Sequence, residues 1–333
     1  MSRIVHLAAA AGVAAGVLFS PPVLAAWPSR TRVLLILSAY PTEGAKLLAS
    51  AAPVTEVGVF NGRRFFGGSI AGKNVVLGLT GIGLVNADRT TRAALAYLED
   101  EGSSVKAILF SGVAGSRYDI GDVIVPDHWT DDLQHSAPPY PPYWVDGGLY
   151  AIARRLTGHV ALDPNLYAED YACTGQRSEL LGTPIRVQDP QMRINRADEG
   201  HSSDPFGGRA VPCITPGGDL LGCAACGAPP GVPGVDQFVS DAGPFVDPNF
   251  VLELIQSFAP GGGSSAVVQD METAAVARIA TEKGIPFIAF RGVSDGGGDP
   301  LTLPPIPYLQ FFVYQQLAAD NAAAATLAFL AAW

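Results

Sequence analysis

The stretch VKAILFSGVAGSRYDIGDVIVP, residues 105–126, decides the fold. From Val105 to Phe110 apolar side chains follow one another without polar alternation, Lys106 excepted. A strand of that composition is covered on both faces. Ser111-Gly112-Val113-Ala114-Gly115 then supplies a glycine-rich turn, and GDVIVP at 121–126 reads as a second apolar strand. Working outward, the same kind of segment recurs. RVLLILSA at 32–39 is a buried strand. Residues 57–70 and 74–80 read as two or three short strands, split by turns at Asn61-Gly62 and Gly72-Lys73. Residues 83–101 have helical spacing, with Val85, Leu95 and Leu98 on one side. Downstream, a strand at 235–240 leads into a helix at 248–258 and a Gly261-Gly262-Gly263 loop. A strand at 266–269, a helix at 272–283, a strand at 286–290 and a last helix at 308–331 complete the chain. Doubly covered strands alternating with helices predict an α/β fold of three layers, with a central mixed, largely parallel sheet flanked by helices.

The chain has 333 residues, 48% of them hydrophobic, which suffices for one large core or one core with an insertion. The pattern dissolves between 131 and 234, where proline and glycine cluster and one helix, 147–157, interrupts. An insertion is expected at about 162–234. All four cysteines, Cys173, Cys213, Cys223 and Cys226, fall inside it. Residues 1–25 read as a signal peptide. Arg3 supplies the positive start, an apolar run follows, Pro21-Pro22 breaks it, and Val23-Leu24-Ala25 offers a cleavage site. The mature domain, 26–333, is then exported, periplasmic or secreted, and disulfides are the default use of its cysteines. Three pairings are open. A redox or metal half-site at Cys223 and Cys226 is the alternative, with His201 as a weak further ligand. The apolar N-terminal run is shorter than the ~20 residues that span a bilayer, so no membrane association is expected after cleavage. The last helix, apolar all round after Asn321, reads as a core or interface helix. A net charge of −10 excludes a general nucleic-acid surface.

Four segments carry the chemistry. They are Ser38-Ala39-Tyr40-Pro41-Thr42-Glu43 after the first strand, Thr80-Gly81-Ile82-Gly83, the Ser111–Gly115 turn with Gly121-Asp122-Val123-Ile124-Val125, and Asp270-Met271-Glu272-Thr273-Ala274-Ala275 with Arg291-Gly292-Val293-Ser294-Asp295. Their order and their placement at strand ends resemble the nucleoside phosphorylase and nucleosidase superfamily, closest to the methylthioadenosine and adenosylhomocysteine nucleosidases. The resemblance covers roughly 33–127 and 235 to the end. It implies a phosphorylase-type fold, and hydrolysis of the N-glycosidic bond of a purine-type nucleoside to free base and ribose or a 5′-substituted ribose. It also implies a homo-oligomer, dimer or trimer, and no metal or organic cofactor.

Such cleavage passes through a ribosyl cation, so an enzyme must stabilise positive charge, protonate the base and present a nucleophile. The resemblance assigns Glu272 to the ribose hydroxyls, Met271 to packing on the sugar, and Asp295 to the leaving base. It assigns Glu43 and Arg291 to the attacking water. Val113, Ala114 and Gly115 approach the base and sugar, and Thr80 joins the substrate-binding set. Val113 departs from the small hydroxyl residue usual there. Phe245 matches either a base-stacking aromatic or a core phenylalanine. Two other readings stay open: a phosphate-dependent phosphorylase, and an exported nucleoside-binding or uptake protein without turnover. For phosphate, Lys46 is the nearby cation. Gly296-Gly297-Gly298 lacks the Lys-Ser/Thr of a phosphate-binding loop, and Ser111 lacks a nucleophile elbow.

Overall fold

A computed structural model describes residues 31–131, 142–166, 185–196, 198–210, 266–304 and 309–333. The signal segment, the four cysteines, Phe245, the strand expected at 235–240 and the helix expected at 248–258 lie outside the described residues.

The first half alternates as its composition requires: β1 (Arg32–Ser38), α1 (Pro41–Ala49), β2 (Thr55–Phe60), β3 (Arg63–Ile70), β4 (Lys73–Leu79), α2 (Leu84–Asp100) and β5 (Ser104–Asp119). Short strands follow: β6 (Val123–Ile124), β7 (His128–Asp131) and β8 (Tyr143–Trp144). Helix α3 (Gly147–Arg154) starts where Asp146 accepts the backbone N–H groups of Gly148 and Leu149. Next come β9 (Asn165–Leu166), β10 (Ile185–Arg186), β11 (Met192–Arg193) and β12 (Glu199–Ser202). The described chain ends with β13 (Val268–Asp270), α4 (Thr273–Lys283), β14 (Phe287–Gly297) and α5 (Leu309–Ala332).

The main sheet runs β2-β3-β4-β1-β5-β13-β12-β7-β8, with β14 on the other edge of β5 and β6 and β11 beyond it. Strand β1 is parallel to β4 and β5, and β5 is parallel to β14. The β2–β3–β4 meander and the β5–β13 pair are antiparallel, so the sheet is mixed. Leu35 and Leu37 of β1, Ala107 to Phe110 of β5 and Ile288 to Phe290 of β14 have no exposed surface. The last helix belongs to this core: Ala318, Ala322, Ala323, Ala325 and Phe329 are fully buried. Among the described residues no helix is long and apolar enough to cross a membrane.

Part of the stretch expected as an insertion is structural. Strand β12 sits inside the main sheet, parallel to both β7 and β13, and β11 pairs with β6. Glu199-Gly200-His201-Ser202 has no apolar run to announce it. Its burial comes from neighbours, and at Gly200 a side chain would collide with the ring of Trp129, 2.6 Å away.

The topology leaves one opening. β1 accompanies β5 only as far as Phe110, and β13 takes up the same edge at Gly115. Residues 111–114 therefore have no strand neighbour on that edge among the described residues. This is where the strand order changes hands, the usual position of a site in an open α/β sheet.

Candidate active site

The opening is filled by side chains. Glu43, in the first turn of α1, reaches it because Pro41 starts the helix directly after Tyr40. Its Oε1 accepts the N–H of Val113 at 2.7 Å and its Oε2 accepts the N–H of Ala39 at 2.6 Å. The guanidinium of Arg291, from β14, donates to the Val113 carbonyl. The ladder groups of Val113 are thus satisfied by two charged side chains instead of a strand. Gly112 must be glycine for this to happen: a Cβ there would lie 2.4 Å from Glu43 Oε1 and 2.5 Å from Arg291 Nη1.

Arg291 is 1% exposed and stands between three carboxylates. Its Nε lies 3.2 Å from Asp270 Oδ2, and its Nη2 lies 3.7 Å from Glu272 Oε2 and 3.9 Å from Glu43 Oε1. Burial works against its charge, and Asp270, Glu43 and Glu272 more than offset it, so its pKa lies above the ordinary value. The acids respond the other way. Burial raises Glu43, opposed by Arg291 and by the two backbone donors. Glu272 is pushed up to about 8 by burial and then by the charge of Asp270, with Arg291 opposing. Its Oε1 accepts the N–H of Gly83 at 2.8 Å, at the start of α2.

Asp270 ends β13 and holds this cluster in place. It accepts the hydroxyls of Ser202 and Thr273, and the N–H groups of Glu272 at 3.2 Å and Thr273 at 3.3 Å. It therefore ties the first turn of α4 to β12 while facing Arg291. Asp295, near the end of β14, accepts the Ser294 hydroxyl at 2.7 Å and the Phe311 N–H at 3.0 Å. Burial raises its pKa, and those two donors oppose the rise.

Glu43, Val113, Ala114, Gly115, Met271, Glu272, Arg291 and Asp295 line one cavity of about 320 Å³. Each of these is a residue that the sequence motifs single out. Thr80 is another, and here the structure differs. Thr80 is fully buried, with its hydroxyl 2.9 Å from the Gly81 carbonyl and its N–H bonded to the Ser38 carbonyl at 2.7 Å. It ties the end of β4 to β1, behind the wall. Tyr40, Ser203, Asp270, Ser294 and Phe311 also line the cavity, and the motifs give them no role. Asp270 stands two residues before the Glu272 N-cap and accepts the N–H groups of Glu272 and Thr273, a local turn that aspartate favours. Ser203 follows a strand without sequence signal, and Phe311 sits in the first turn of a helix that reads as a core or interface helix and is apolar all round only after Asn321. Tyr40 and Phe311 meet edge to face, with centroids 6.0 Å apart. Lys46 turns away from the cavity and donates to the Asp320 carbonyl at 3.2 Å. Among the described residues no group of three or more His, Cys, Asp or Glu side chains could hold a metal ion.

The sequence profile of the phosphorylase superfamily matches residues 33–176 and 235–331, which include every carboxylate of the cavity. The chain belongs to the phosphorylase superfamily. Within it, the protein Rv2293c of Mycobacterium tuberculosis, itself uncharacterized, is 36% identical over 221 residues, 65% of this chain and 86% of that protein. Among solved structures, the 5′-methylthioadenosine/S-adenosylhomocysteine nucleosidase of Neisseria meningitidis, bound to methylthio-immucillin-A, superposes with a TM-score of 0.52 at 18% identity. That match covers 91% of this chain and 100% of the nucleosidase. The futalosine hydrolase of Helicobacter pylori gives 0.52 at 17% identity, covering 90% of this chain and 97% of that one. The phosphorylase-superfamily membership and these likenesses establish the fold. The β12 strand inside the apparent insertion lies in the gap between the two matched segments, at 177–234.

Proposed function

We propose that this chain hydrolyses the N-glycosidic bond of a purine-type nucleoside. One observation carries the reading: Glu43 and Glu272, held apart by Arg291, face the same cavity as Asp295. The three carboxyls match the three tasks of the reaction. Glu272 accepts hydrogen bonds from the sugar hydroxyls, and its ionised form, populated as pH approaches about 8, favours the forming ribosyl cation. Asp295, whose burial favours the protonated form, supplies the proton as the base departs. Glu43 orients a water and takes its proton. Its carboxylate plane is fixed by two backbone donors, which leaves lone pairs for that water.

Water is favoured over phosphate by charge. Arg291 is the cation among the described lining residues and is already matched by three carboxylates, while the Lys46 ammonium is engaged elsewhere. A phosphate dianion would enter a negative site. The test is base release from a panel of purine nucleosides and their 5′-substituted analogues, with and without phosphate, followed by chromatography. Free base with free ribose, or with the 5′-substituted ribose from the analogues, unaccelerated by phosphate, is the expected outcome. Ribose 1-phosphate, formed only with phosphate, establishes a phosphorylase instead. Binding without release identifies a nucleoside-binding protein.

Export and self-association belong to the same proposal. Export rests on residues 1–25 and is checked by the N-terminal sequence of protein recovered from outside the cytoplasm, expected to begin near Ala26. Assembly into a dimer or trimer rests on the family resemblance and is checked by mass measurement in solution.

A further inference from the structure

We propose that Asp299 is a positioning residue for Asp295, acting through Gln310 and the first turn of α5. The proposal rests on the reading of Asp295 as the group that serves the leaving base.

Asp299 lies just past Gly296-Gly297-Gly298, outside the cavity lining. Its carboxylate nevertheless collects four donors. Oδ1 accepts the N–H of Leu301 at 2.9 Å and the hydroxyl of Tyr314. Oδ2 accepts the N–H of Leu303 at 2.8 Å and the side-chain amide of Gln310 at 3.2 Å. Two of these donors stand on α5. Burial works against the charge, and the bonds from Tyr314, Leu303, Leu301 and Gln310 more than offset it, so Asp299 titrates below its ordinary value.

Gln310 carries the effect inward. While its amide N–H donates to Asp299, its oxygen accepts the N–H of Gly296 at 3.0 Å. The next residue, Phe311, donates its own N–H to Asp295 Oδ1 at 3.0 Å. One helical turn therefore holds Asp299 on its outer side and the Asp295-Gly296 pair on its inner side. The opposite side of that pair is closed by β5. A Cβ on Gly296 would lie 2.3 Å from the Tyr118 carbonyl, and one on Gly297 would lie 2.8 Å from Asp119 Oδ1. Against that fixed wall, the placement of the first turn of α5 sets where the Asp295 carboxyl points. The other groups at Asp295 are few. Ser294 donates to its second oxygen, and the Tyr40 phenol is a titratable group that senses its charge. No ion pair reaches it among the described residues.

Releasing Asp299 frees the turn and withdraws the Phe311 donor. A carboxyl that loses a donor to its ionised form titrates higher. The experiment compares wild type with Asp299→Ala and Gln310→Met in the full chain. The Asp295 carboxyl carbon is followed by NMR across pH, assigned by its disappearance in Asp295→Asn. Base release is measured alongside. The titration midpoint of Asp295 is expected to rise by ~0.5–1 pH unit in both variants. Turnover should fall ~10-fold with KM within ~3-fold, the pattern of a lost transition-state interaction. An unmoved Asp295 midpoint in folded variants overturns the proposal, whatever happens to turnover. Gln310→Met, which leaves Asp299 three of its donors, decides the matter if Asp299→Ala does not fold. A wild-type protein that releases no base overturns the functional reading alone, because the carboxyl titration still tests the positioning.

Discussion

On one side of the cavity stand β5 and β14, 16 and 11 residues long; on the other stand β13 and β12, with 3 and 4. The long pair is fixed by its ladder and by side chains with no exposed surface, from Ala107 to Phe110 and Ile288 to Phe290. The short pair has too little ladder for that. It is fixed by a polar knot, in which Asp270 gathers Ser202, Glu272 and Thr273, and Ser202 in turn accepts the N–H of Ala274 at 2.8 Å. Rigidity at an active site can thus come from apolar burial or from one saturated carboxylate. Arg291 is where the two meet, since it grows from β14 and pairs with Asp270.

The largest effect is therefore expected at Arg291. Arg291→Met removes the counter-charge of three buried carboxylates. Breaking one buried pair from one side typically costs ~3–5 kcal/mol. The melting temperature should fall by many degrees and base release should become undetectable. A variant that melts like wild type would mean the two sides are independent, and the comparison breaks.

Glu43→Gln comes next. Glutamine offers one acceptor where the carboxylate serves two N–H groups, those of Ala39 and Val113, and its amide would face a donor. Turnover should drop by ~10²-fold or more, and the melting temperature by a few degrees. Nucleoside binding should persist. Loss of turnover without any change in melting would show that the long-strand side holds its shape without this acid.

The pH dependence of stability isolates Glu272. Its folded pKa, about 8, exceeds the ordinary 4.5 because of burial and Asp270. The folded state then holds a proton that the unfolded state releases. This contribution is complete below about pH 4.5, and stability is lost as pH rises from there to about 8. Melting curves of wild type should fall across this window more steeply than those of Glu272→Gln. Parallel curves would refute the assignment.

Much of the fold and of the site is legible in the amino-acid sequence, and what is legible divides along the same line. A strand such as 105–110 announces itself by apolar residues that leave no polar face. The residues following such strands, Glu43, Val113 and Asp295, can be placed because the strands can. β12 cannot. Four residues with a glycine, a histidine and two polar side chains carry no period, and their place in the sheet comes from partners distant in sequence. Ser202 and Ser203 are hidden with it. Thr80 misleads in the opposite direction: a correct strand end, with a side chain turned inward to the main chain.

The smallest expected effect falls on that illegible side. Ser202→Ala deletes one donor to Asp270 and one acceptor for Ala274, in a knot that keeps its other bonds. A cost of ~1–2 kcal/mol and a several-fold drop in turnover are expected by thermal melting and kinetics. An effect rivalling that of Arg291→Met would make the polar knot, and not the long strands, the main support of the site.

Residue 113 takes part in the charge cluster only through its amide and its carbonyl. Its side chain lies outside that network and rests against Ala318 and Ala319 of α5. Any residue small enough for that recess leaves Glu43 and Arg291 where they are. The resemblance implies a small hydroxyl residue at this position, and valine fills the recess here while the main chain keeps its two charged partners. Side chain and main chain of one amino acid thus answer to separate neighbours, the last helix on one hand and the charge cluster on the other.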